Sequence, residues 1–266
     1  MKQKNKRNLL IVSVLLLALC FVTGCGLFKS DTEQLKDLLE DKYGEKFEIK
    51  SYYYDGDMWA MCYPVNDPTL LFQVRTDEHA ERIKHDYYLQ NVVARQVEEE
   101  YGPLVEQAFP GSYLSVDISH TLSSIPENFP KADTVTLDDI MQYYSENDIS
   151  SDIVLNIFVD TSQMSEDNIA LEYKFIDESV GSRVANGEFP NTIIKIYFGD
   201  ANYVRECKKI IEDTTWMQSD IYEKIKNQPF FKIFFYEDGI PELSGGQGIL
   251  TLEKYIEKRT EALNNG

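Results

Sequence analysis

Apolar positions along this chain follow two periods, one near 3.6 residues and one of 2, and their alternation predicts a succession of helices and strands. Ser30-Asp31-Thr32-Glu33 has the form of a capping box, and Leu35, Leu38 and Leu39 then recur at helical spacing until Gly44. Phe47, Ile49, Ser51 and Tyr53 alternate with Glu48, Lys50 and Tyr52, and Asp55-Gly56 separates them from a second strand-like run over residues 58–63. Two runs of strand formers around Asp-Gly predict a hairpin. After turns at Pro64 and at Asn66-Asp67-Pro68, residues 70–75 predict a third strand, which completes a three-strand meander. Over residues 86–101, Leu89, Val92, Val93, Val97 and Tyr101 share one helical face, and Gly102-Pro103 predicts its end. Leu114, Val116 and Ile118 then alternate as a strand.

Beyond an exposed connection near Pro126 and Pro130, Thr136 opens a helix carrying Ile140, Met141 and Tyr144. Ile153, Leu155, Ile157 and Val159 predict a strand. Residues 169–180 fit either period, and their length with the Ser165-Glu166-Asp167 lead-in favours helix. Residues 192–198 predict a strand, Asp200 a cap for a helix bearing Tyr203, Val204, Cys207, Ile210 and Ile211, and residues 230–236 a further strand. A glycine-rich break at residues 245–248, read as a loop, precedes a last helix with Leu252, Tyr255, Ile256 and Leu263. The pattern predicts an α+β fold of antiparallel sheets with packed helices. It divides into a first unit over residues 31–125 (helix, three-strand meander, helix, strand) and a second over residues 134–263, in one domain or two.

The first 24 residues obey a different rule. Lys2, Lys4, Lys6 and Arg7 precede an apolar run over residues 9–22, too short for the roughly 20 residues that cross a hydrocarbon core. The run ends in Val22-Thr23-Gly24-Cys25, which resembles the lipobox of bacterial prolipoproteins. That resemblance implies a signal peptide over residues 1–24, cleavage between Gly24 and Cys25, a lipid on the Cys25 sulfur, and a tether over residues 25–30. An uncleaved anchor or an ordinary signal peptide is the alternative. The stretch Lys42-Tyr43-Gly44-Glu45-Lys46-Phe47-Glu48, with Tyr63-Pro64, Asp67-Pro68 and Leu71-Phe72, is similar to uncharacterised small lipoproteins of Gram-positive bacteria. This second resemblance covers about a third of the chain and implies a location on the outer side of the cell membrane. It carries over no catalytic residue.

Charge narrows the partners. Residues 1–24 hold four bases and no acid, so removing them takes the net charge from -19 to -23. Such a body is repelled by nucleic acid, and it suits a protein or peptide partner of basic character. At 43% hydrophobic and 12% aromatic, the chain can bury a full core.

Chemistry-bearing motifs are sparse. His79, His85 and His120 lack metal-ligand spacing, and Asp55 and Asp57 around Gly56 read as a turn, so no metal or cofactor is expected. Neither a nucleophile elbow nor a phosphate loop is present, and Ser119-His120 adjacency does not make a dyad, so no catalytic residue is expected. Cys62 and Cys207 could bridge the two halves in an oxidising compartment, or stay as two buried thiols. Tyr52-Tyr53-Tyr54 with Trp59 and Tyr63 gather rings on both faces of the hairpin, more than one core face needs, which marks Tyr52, Tyr54, Trp59 and Tyr63 as a candidate binding surface, with packing under the helices as the alternative. The expected function is a lipid-anchored binding protein, with an immunity protein against a secreted toxin or a cell-wall hydrolase as alternatives.

Overall fold

The computed structural model describes residues 29–118, 129–149, 152–213, 225–226, 228–236, 238–244 and 248–265. The leader, Gly24, Cys25, Ser119, His120 and residues 245–247 lie outside the described residues. The fold is α+β, as the periodicities predict.

Helix α1 (Asp31–Tyr43) begins at the Ser30–Glu33 capping box and ends at Gly44, whose φ of 77° places it in the left-handed region that favours glycine. Among the described residues, β1 (Phe47–Asp55), β2 (Asp57–Pro64), β3 (Phe72–Thr76) and β4 (Ile83–Asp86) form an antiparallel four-stranded meander in chain order. The expected three-strand meander thus gains β4. Its one apolar residue is Ile83, and its inward position is held by Asp86, a fully buried carboxylate that strand periodicity could not mark. Asp86 is compensated by the Lys42 ammonium at 2.7 Å, the Tyr43 hydroxyl and the Tyr88 backbone N–H at 3.2 Å.

Helix α2 (Tyr88–Ala108) runs straight through Gly102-Pro103, where the sequence predicted a stop. A helix-interior proline costs about 3 kcal/mol. Burying Val105, Ala108 and the following Phe109 against the core outweighs it, at about 1.5–3 kcal/mol per large apolar side chain.

Strand β5 (Tyr113–Ile118), expected to close the first unit, instead pairs antiparallel with β6 (Ile153–Asp160) along its whole length. It lies at one edge of a six-stranded sheet of order β10-β9-β8-β7-β6-β5. The other strands are β7 (Thr192–Gly199), parallel to β6, then β8 (Phe230–Phe235), β9 (Pro241–Leu243) and β10 (Gly248–Ile249), all antiparallel. The small β9–β10 pair brackets the stretch read from sequence as loop, of which Gly248 belongs to β10.

Helix α3 (Leu137–Glu146) carries its own capping box, Thr136 with Asp139. The ambiguous stretch is helical: α4 (Ile169–Lys174) continues through a π-helical segment, Phe175–Gly181, into α5 (Ser182–Ala185). Helix α6 (Ala201–Asp213) is capped by Asp200, which accepts from the Tyr203 N–H at 2.7 Å, and α7 (Leu252–Asn265) closes the chain.

One continuous cluster of buried apolar side chains runs from Leu35 and Leu39 through both sheets to Tyr255 and Ala262. A smaller one, with Phe158, Tyr197, Tyr203, Val204 and Cys207, seals α6 onto the opposite face of β6 and β7. The two cysteines that could have bridged therefore sit in different clusters. Cys62 and Cys207 are free buried thiols, and burial pushes both upward in pKa, Cys207 to about 11. Among the described residues no helix is long and apolar enough to cross a membrane.

Candidate functional site

The four-stranded sheet has two unlike faces. Met58, Ala60 and Cys62 of β2, with Phe72 and Val74 of β3, point into the core, where α1 and α2 pack. The tie between Asp86 and Lys42–Tyr43 holds α1 on this side, and Tyr88 of α2 packs on Phe72 with ring centroids 4.8 Å apart.

The opposite, open face is set by strand register. Tyr53 pairs with Trp59, Trp59 with Arg75, and Arg75 with His85, so these four residues form one row across all four strands. The Tyr53 and Trp59 rings stack 6.3 Å apart and within 7° of parallel. The Arg75 guanidinium lies over the indole at 4.8 Å, a cation–π arrangement. Asp57, on the same face, accepts from Arg75 Nε at 2.7 Å and Lys84 Nζ at 2.6 Å. The Lys84 hydrogen bond, followed by that from Arg75, holds the Asp57 carboxyl below the usual carboxylate range. The result is an aromatic stack whose cation is held by a fixed carboxylate. Tyr53 stays 39% exposed at the end of this row, so the face offers a partner an aromatic ring beside polar atoms.

A β-bulge decides which tyrosines reach this face. Lys50 is the extra residue in β1, and the register shifts between Ile49 and Ser51. Upstream of it Phe47 and Ile49 point inward; downstream the sense reverses, and Tyr52 and Tyr54 take the side of Ala60 and Met58. The sequence reading placed Phe47, Ile49, Ser51 and Tyr53 on a single face, and the bulge corrects it. Of the four aromatic residues marked from sequence, Trp59 and Tyr63 are on the open face, whereas Tyr52 and Tyr54 flank the first turn of α1 on the other. Tyr54 donates its hydroxyl proton to the Asp31 carboxylate there, which raises its pKa to about 12.

Tyr53 belongs to the run of rings that the sequence shows on the hairpin, whereas Arg75 carries no sequence signal for the stack. Counting outward from the Asp55-Gly56 turn would have paired Tyr53 with Trp59. Arg75 depends on the β2–β3 register, which nothing local dictates.

A second concavity, of about 280 Å³, lies where α2 meets the β2–β3 turn. Glu45, Asp67, Arg95, Glu99 and Asp133 line it around Tyr88. Arg95 pairs with Asp67, and Tyr88 donates to Glu45, so part of the lining is already committed internally. Among the described residues no three His, Cys, Asp or Glu side chains converge where a metal ion could be held.

No family model matches the chain, and no curated protein matches it. Among solved structures, it superposes on the crystal structure of a DUF5037 family protein from Ruminococcus gnavus with a TM-score of 0.59. The two chains share a fold. The match covers 86% of this chain and 98% of the DUF5037 protein at 19% identity, a level at which the likeness speaks for architecture and for nothing about ligands.

Proposed function

We propose that this protein is an extracytoplasmic lipoprotein, anchored through Cys25, that binds a polypeptide partner of basic character on the open face of its four-stranded sheet and performs no catalysis. The observation that carries the binding reading is the Tyr53–Trp59–Arg75 stack, an aromatic row on the sheet face turned away from α1 and α2. Tryptophan, tyrosine and arginine dominate contact energies at protein interfaces because they combine large area with few torsions to order. The net charge of -23 after removal of the leader would speed encounter with a basic partner and repel nucleic acid. Support for the anchor is the leader itself, Val22-Thr23-Gly24-Cys25 after a short apolar run, with the capped helix α1 following a few residues later.

Two measurements test the parts separately. A photo-crosslinking residue at Gln73, beside Arg75 on the open face, is expected to give a discrete polypeptide adduct on intact cells, and Trp59→Ala should abolish it. Adducts indifferent to Trp59→Ala would remove this face from consideration. For the anchor, a Cys25→Ala variant is expected to leave the membrane fraction, and one that stays with the membrane like the parent would overturn it.

A further inference from the structure

We propose that the tip of the β1–β2 hairpin, through Tyr52 and Tyr54, is the surface on which the body rests against the headgroup layer of its own membrane. This rests on the Cys25 anchor proposed above and goes beyond it, because an anchor alone leaves the orientation of the body open.

Covalent geometry supplies the first step. Six residue steps separate Cys25 from Asp31, the first residue of α1, and a polypeptide reaches at most about 3.3–3.6 Å per residue. Whatever path the tether takes, the Asp31 Cα stays within about 22 Å of the Cys25 Cα, less than the length of α2 at about 1.5 Å per residue.

The second step is the tie between hairpin and helix. The Tyr54 hydroxyl donates to the Asp31 carboxylate, so the end of the hairpin is fixed to the place where the tether meets the body. Tyr52 packs edge-on against Tyr54 with centroids 6.0 Å apart, and both rings are about half exposed, at 50% and 47%. The strand reversal at Lys50 puts them on this side, away from the Tyr53–Trp59–Arg75 stack.

The third step is chemical. Tyrosine, with an apolar ring and a polar hydroxyl, is enriched at membrane–water interfaces. The acids around the tip, Asp31, Glu33 and Asp55, oppose attraction to anionic lipid, so the contact is a ring-in-headgroup contact rather than an electrostatic one. Two tyrosines would hold a free protein only weakly. On a short tether the effective concentration is in the millimolar range, where a weak contact suffices to set orientation. The hairpin then stands on the bilayer with its open face turned sideways, clear for a partner.

The test couples the mature chain, beginning at Cys25, through that thiol to a maleimide lipid in phosphatidylcholine vesicles. Chemical coupling replaces cellular lipidation, so failure here is distinguishable from failure of the anchor, which the Cys25→Ala fractionation reports. With Trp59→Phe and Trp216→Phe in place, Tyr52→Trp supplies a single indole at the tip. The expected result is a blue-shifted emission and strong quenching by headgroup-labelled lipid, reduced by about twofold or more when Tyr54→Ser is added. Raising the ionic strength from about 50 mM to about 500 mM should leave the quenching unchanged, and adding phosphatidylglycerol should weaken it. As a second readout that keeps Trp59, Trp216→Phe alone should give stronger quenching than the same chain carrying Tyr52→Ser and Tyr54→Ser. Quenching indifferent to the tyrosine substitutions, abolished by salt, or dependent on protein surface density as for a second copy would overturn the proposal.

Discussion

The two sheets solve the burial problem differently. In the four-stranded meander, helices cover one face, and the other is finished with a clamped arginine on an aromatic stack. In the six-stranded sheet, strand β6, flanked by β7 and the edge strand β5, is buried at every position, because the main core fills one side and α6 seals the other. A sheet covered on both sides spends its side chains on packing. One left open on a side has room for recognition, and this is where the rings and cations gather.

If that division is right, the most damaging substitutions belong to the doubly covered half. Glu172 on α4 is fully buried and accepts from Arg259 of α7 at 2.7 and 3.1 Å and from the Tyr255 hydroxyl at 2.6 Å. Removing one partner of a buried pair leaves an uncompensated charge, so Arg259→Ala should cost about 3–5 kcal/mol in urea unfolding. The paired change Glu172→Gln with Arg259→Met should cost much less. Equal losses would mean that α7 is held by packing instead.

Glu98 tests the seam between the halves. It leaves α2 to accept from the Val116 N–H at 2.8 Å, and burial raises its pKa to about 7. The folded protein therefore binds a proton that the unfolded chain has lost between about pH 4.5 and pH 7, so this group's contribution falls as pH rises through that window and is constant above it. Glu98→Gln should remove the dependence and raise stability at pH 8 by up to about 3 kcal/mol, leaving pH 4 nearly unchanged. A parallel loss at all pH values would show that the carboxylate acts only as an acceptor.

Gly181 packs against Gly239, and a Cβ added there would sit 2.9 Å from the Gly239 carbonyl oxygen and 3.1 Å from the Phe235 ring. Gly181→Ala is expected to destabilise by about 1–3 kcal/mol, read from the denaturation midpoint. On the open face, Trp59→Ala and Arg75→Ala should each move the midpoint by about 1 kcal/mol or less, while abolishing the Gln73 adduct. A loss of several kcal/mol would instead assign the stack to stability, and the contrast between the sheets would collapse.

Much of the fold was legible where a signal is local. Both capping boxes, the left-handed end of α1 at Gly44, the Asp55-Gly56 hairpin and the alternation of β6 and β7 follow from residues within a few positions of one another. The candidate site was legible by half. The hairpin's gathering of rings on both faces is legible in the sequence; which ring takes which face follows from the bulge at Lys50, and Arg75 joins Trp59 only through the β2–β3 register.

Sequence by itself settled most of the segments that become helix or strand, because caps, turns and periodicity act over a few residues. Tertiary structure decided what those segments meet. It made a strand of residues 83–86 by burying Asp86 against Lys42 and Tyr43, carried α2 past Pro103, gave β5 to the second sheet, kept Cys62 and Cys207 in separate clusters, and turned the tyrosines of β1 over at Lys50. Each of these outcomes balances a local penalty or a local indifference against burial with residues far away in the chain, and no short window of sequence contains both sides of that balance.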